Sequence, residues 1–92
     1  LESLAITEDV VVREKSRFLL GDLYRERKDF RLAEEQYRLI LEENPRSADA
    51  HFYLGLIWRD KGDPVRARAS WRRAVSLDPM HIAARQELAE RI

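Results

Sequence analysis

Six positions of this chain recur in kind at a fixed offset of 34. Leu20, Gly21, Tyr24, Ala33, Tyr37 and Pro45 reappear as Leu54, Gly55, Trp58, Ala67, Trp71 and Pro79. A period of roughly 20–50 residues means that one supersecondary unit is copied and stacked, because a single copy cannot bury its apolar face alone. The first copy covers 14–47 and the second 48–81. Residues 82–92 begin a third, since Ala89 lies one full period after Gly55. Residues 1–13 fit the period poorly, with no aromatic near Ser3 and no proline near Val11, and are read as an N-terminal extension.

Each copy reads as two helices. From Glu14 to Arg27, the residues Leu20, Gly21, Leu23 and Tyr24 share one face at three- and four-residue spacing. Asp29 offers a cap for a second helix from Phe30 to about Glu43, with Phe30, Ala33, Tyr37, Ile40 and Leu41 inward. Asn44-Pro45 ends it, because the residue before proline is pushed out of the helical region. Ser47 opens a third helix that carries Leu54, Gly55 and Trp58 and stops at Gly62. Asp63-Pro64 starts a fourth, which buries Ala67, Trp71, Ala74 and Val75 and closes at Asp78-Pro79. A fifth, over 81–92, continues the spacing through Ala84, Leu88, Ala89 and Ile92. In the extension, Thr7 followed by Glu8 and Asp9 predicts a helix from about Glu8; a short extended piece at Val10–Val12 is the alternative. Lys28 stands where the second copy has Gly62, and a left-handed conformation there would cost about 1–2 kcal/mol.

Composition removes several function classes. Seventeen basic residues balance seventeen acidic ones, so no global field draws nucleic acid or an anionic membrane. No cysteine is present, and His51 and His81 lie too far apart to form a familiar ligand pair; no metal site, cofactor or catalytic residue is expected. No glycine-rich phosphate loop or nucleophile elbow occurs. No apolar run approaches the length of a membrane span. Arg outnumbers Lys by 14 to 3, which points to a GC-rich, bacterial genome; the compartment is open, with the cytoplasm the default expectation.

The repeated positions resemble the tetratricopeptide repeat, whose pattern places Trp-x2-Leu-Gly-x2-Tyr, then Ala-x3-Phe, then Pro within each repeat unit. The second copy reads His51-x2-Leu54-Gly55-x2-Trp58, Ala67-x3-Trp71, Pro79, and the first Arg17-x2-Leu20-Gly21-x2-Tyr24, Ala33-x3-Tyr37, Pro45. Arg17 and His51 depart from the family's tryptophan. The resemblance covers 14–92 and implies an all-α fold: a right-handed solenoid of antiparallel helix hairpins, about five helices in all. The glycine and alanine would let the two helices of a hairpin approach, and the aromatics would fill the wedge between hairpins.

The resemblance also implies a function, a protein-interaction scaffold that binds a peptide or helix of another protein. Its groove positions fall here on Lys15, Phe18, Asp22, Arg25 and Glu26, on Asp49, Phe52, Leu56, Arg59 and Asp60, and on Ala83, Gln86 and Glu90. Phe18, Phe52 and Leu56 would form an apolar stripe, with Arg25 and Arg59 supplying charge. One subclass grips acidic tails of heat-shock chaperones with Lys, Asn and Arg. The matching positions, Phe18, Asp22, Tyr53, Ala83 and Glu87, hold none of these, so such tails are not expected partners. The competing expectation is self-association, exposed ends being covered by another copy; an accessory role beside an enzyme or a nucleic-acid-binding domain ranks below both.

Overall fold

The computed structural model describes residues 2–89, with side chains placed over 11–89. Five helices follow one another: α1 Glu2–Glu26, α2 Phe30–Glu43, α3 Ala48–Asp60, α4 Pro64–Leu77 and α5 Ile82–Ala89. Each packs chiefly on the next in sequence, and the short connections make neighbours antiparallel. The resulting slab measures 51 × 30 × 17 Å, about two helices deep. It is an all-α helical-repeat solenoid.

Helix ends follow local chemistry, and the period of 34 extends to them. After α1, the Asp29 N–H reaches the Tyr24 carbonyl and the Lys28 N–H that of Arg25, at 2.8 and 3.0 Å. After α3, Asp63 and Gly62 make the same two bonds to Trp58 and Arg59, again at 2.8 and 3.0 Å. This double closure needs one left-handed residue. Gly62 takes it at φ 85° and Lys28 at φ 65°, so the first turn carries the strain expected of it. The Ser47 Oγ accepts from the Ala50 N–H and an Asp63 carboxylate oxygen from the Arg66 N–H. Asp29 does not do this: its side chain makes no cap bond to α2.

α1 also departs from expectation. It begins at Glu2 rather than near Glu8, so Thr7 lies inside the helix and Val10–Val12 are helical, not extended. β-branched residues lower helix propensity only slightly, and a packed helix propagates through them.

The core is two clusters, one per hairpin junction. Ala33, Tyr37 and Ile40 of α2 meet Ala50, Leu54 and Ile57 of α3, with Phe18, Tyr24 and Tyr53 against them. Ala67, Trp71 and Ala74 of α4 meet Leu56 of α3 and Ala84 of α5, with Phe52, Trp58 and Leu88 against them. The repeated glycines make room for rings rather than for another backbone. A Cβ on Gly21 would lie 2.6 Å from the Tyr37 ring, and one on Gly55 would overlap the Trp71 indole. Leu20 and Leu23, which share a helical face with Gly21 and Tyr24, are 40% and 50% exposed. Their face of α1 is bare, because among the described residues no helix lies beyond it. Ala89, on α5, is exposed too, and Ile92 falls outside the described residues.

Candidate functional site

The C-terminal half of α1, the second turn of α3 and the residue before α5 bring an aromatic row to one side of the slab. Phe18 of α1 sits edge-on to Tyr53 of α3, ring centroids 5.8 Å apart. Tyr53 meets Phe52 at 5.3 Å, and Phe52 meets His81, just before α5, at 5.1 Å. Beneath the row, Tyr37 stacks on Tyr53 at 5.4 Å, so one buried ring supports two exposed edges. Phe18, Phe52 and Tyr53 are each half-buried, rigid from below and open from above. Such pairs favour offset and edge-to-face geometry, which fixes the rings more firmly than burial alone.

Charged groups flank the row and largely compensate one another. Asp22 accepts a 2.8 Å hydrogen bond from the Tyr37 hydroxyl and lies 3.6 Å from Arg25. The Arg25 guanidinium lies 5.8 Å from the Tyr53 ring centroid, and its buried Nε–H meets no acceptor among the described residues. Burial raises the Tyr37 pKa above the usual phenol range, and the Asp22 carboxylate adds to this, so Tyr37 remains a donor at neutral pH. Burial also raises that of Tyr53, with Asp22 and Asp49 contributing. Arg59 reaches Glu87 at 3.2 Å and Asp60 at 3.7 Å, tying α3 to α5.

His81 is used at both nitrogens. Nδ1 accepts from the Ala84 N–H at 3.2 Å, capping α5, and Nε2–H donates to Asp49 at 2.7 Å. Its counterpart one repeat earlier is Ser47, which caps α3 in the same way. His51, at the family's tryptophan position, is half-buried, and burial lowers its pKa below the usual value. Arg17, at the same position in the first copy, bonds the Leu39 carbonyl and pairs with Glu43 beside Arg13.

Five of the thirteen residues assigned to a groove from the sequence converge here, and one of the others is buried in the core. Phe18, Asp22, Arg25, Asp49 and Phe52 lie in the aromatic row or touch it, whereas Arg59 pairs with Glu87 and Asp60. Lys15, Glu26, Asp60 and Gln86 are exposed, Ala83 is half-buried, and Glu90 lies outside the described residues. Leu56 is the correction: it is 7% exposed and packs among Ala67, Trp71, Ala74 and Ala84, so it belongs to the core. Its counterpart Asp22 gave no warning, being a polar residue that stays half-buried and accepts the Tyr37 hydroxyl instead of packing in the core. Tyr53 and His81 are the residues the groove assignment missed. The repeat register signals His81, which occupies the capping position of Ser47; Tyr53 is adjacent to Phe52 but aligns with Leu19, which is exposed.

Among the described residues no helix is long and apolar enough to cross a membrane. The family model described as tetratricopeptide repeat matches residues 18–89. No curated protein matches the chain. Repeats of the matched kind generally mediate contacts between proteins. Two in-register hairpins, paired turn closures and a match over most of the length agree: the chain belongs to the tetratricopeptide repeat family.

Proposed function

We propose that this domain captures a polypeptide segment of another protein along the row Phe18–Tyr53–Phe52–His81, and that it does so without catalysis. The observation that supports this reading is the row itself: half-exposed rings, held from beneath by Tyr37, on the helices that carry the family's recognition positions. Rigid aromatics with an exposed edge lose little entropy on binding and are frequent interface anchors. Arg25 borders them and presents donors to backbone carbonyls or an acidic side chain of the segment, and Arg59, on the same helix as Phe52, adds charge; each is already steered by a neighbouring carboxylate. With Leu56 buried, the apolar anchor is Phe18, Phe52 and Tyr53.

Peptides selected from a random library against the purified domain test the reading. Phe52→Ala is expected to weaken the selected peptides by about 1–2 kcal/mol, and Arg25→Ala by less. Selected peptides that bind both variants as tightly as the wild type would overturn the assignment. Self-association is the competing reading, drawing support from apolar side chains exposed elsewhere on α1.

A further inference from the structure

One groove slot precedes each phenylalanine of the row, and its charge changes sign along the chain. In the first copy it holds Lys15, ahead of Phe18; in the second it holds Asp49, ahead of Phe52. Both members of each pair lie on one helix at a spacing of three, which makes them neighbours on its surface. The Asp49 side chain is 67% exposed. It accepts from the His81 Nε2–H at 2.7 Å, and that ring is neutral, because its Nδ1 accepts from the Ala84 N–H. Among the described residues Asp49 meets no lysine or arginine, since Arg25 is drawn to Asp22 and Arg59 to Asp60 and Glu87. The carboxylate therefore keeps its charge at the edge of the row. Burial raises the Tyr53 pKa, and Asp22 and Asp49 add to the rise against Arg25, so the field at the adjoining phenol is negative on balance.

We infer that Asp49 and Phe52 form a subsite for a lysine or arginine side chain of an extended segment of another protein, the stem of that side chain lying on the Phe52 ring and its cationic head on the Asp49 carboxylate. The subsite rests on the reading of the aromatic row as the surface that captures such a segment. Its two halves suit one occupant. An aromatic face attracts a cation within about 6 Å. A long basic side chain covers apolar surface with its stem while its head stays at the water boundary. Phe52 is held in place for this by Tyr53 on one side and His81 on the other, at 5.3 and 5.1 Å between ring centroids. The opposite charge at Lys15, which is exposed beside Phe18, confines the basic residue to the α3–α5 end of the row and gives the segment a direction.

Peptides selected from a random library on the purified domain supply the probe. They are expected to share a lysine or arginine, and norleucine in its place, which keeps the stem and drops the charge, should weaken the strongest binder about fivefold. On the Asp49→Asn domain the same replacement should cost about twofold or less, the part owed to the ring alone. Asparagine still accepts from His81, so this variant keeps the α3–α5 contact, which circular dichroism and an unchanged melting temperature check. Peptides that need Phe52 but share no basic residue, or that lose as much to norleucine on Asp49→Asn as on the wild type, overturn the subsite and leave the row standing. An empty selection, or peptides indifferent to Phe52→Ala, overturns the row and the subsite with it. A wild-type dimer in sedimentation equilibrium that Asp49→Asn dissolves overturns the assigned occupant in favour of a second copy.

Discussion

Gly55 shows how one residue decides a packing arrangement. In an exposed helix Ala would be favoured over Gly by about 1 kcal/mol. Here the Trp71 ring lies where a Cβ would stand, and the indole N–H donates to the Phe52 carbonyl at 3.2 Å, which prevents the ring from withdrawing without cost. Gly55→Ala is therefore expected to destabilise the domain by about 1–3 kcal/mol in urea denaturation, the cost of overpacking exceeding the gain in propensity. A stabilised variant would mean that Trp71 moves freely. Gly62 has a different task, a left-handed turn with open space around it. The two glycines are alike in the sequence and separated only by what surrounds them.

Among the helices, the ends are tuned independently of the packed faces. α3 and α4 begin with a side-chain cap, from Ser47 and Asp63, whereas α2 begins at Asp29 without one. Ser47→Ala and Asp63→Ala should each cost about 1 kcal/mol, while Asp29→Ala should cost less than about half of that. Thermal or chemical denaturation of the three variants checks the order, and an Asp29→Ala loss equal to the others would contradict the absence of its cap bond. α1 illustrates the limit of reading starts from residue type: Thr7 followed by two acids resembles a start, yet the helix runs from Glu2 through it. A polar residue caps a helix only if the chain bends away there, and nothing local to Thr7 determines that.

At the scale of the whole molecule, equivalent residues are not equivalent energetically. Each helix is covered mainly by its sequence neighbours, so a position's worth depends on its place in the stack. Leu54 and Leu20 share one slot of the repeat, but Leu54 is 8% exposed and Leu20 40%. Leu54→Asp is expected to cost more than about 3 kcal/mol, through lost burial and a charge left in the α2–α3 junction. Leu20→Asp should stay within about 0.5 kcal/mol of the wild type. Unfolding midpoints of the two variants compare them directly, and equal losses would show that α1 is covered by something the described residues do not contain.

The sequence alone determined the repeat, and with it the fold. Gly21 and Gly55, the Ala and aromatic pairs, and the two prolines mark small, large and terminating positions whose spacing is local to each hairpin. Phe30–Glu43 and Pro64–Leu77 follow directly from a proline or aspartate at one end and Asx-Pro at the other. The tertiary structure decided what each repeated position faces. It put Leu56 in the core and Asp22, its counterpart, against Tyr37, because exposure depends on which helix comes next rather than on the residue's own slot. It also drew Tyr53 and His81 into the aromatic row, since contacts between one copy and the next are set by how hairpins stack. It left Leu19, Leu20 and Leu23 bare, a fact that periodicity cannot register, because the repeat pattern is the same whether or not a neighbour is present.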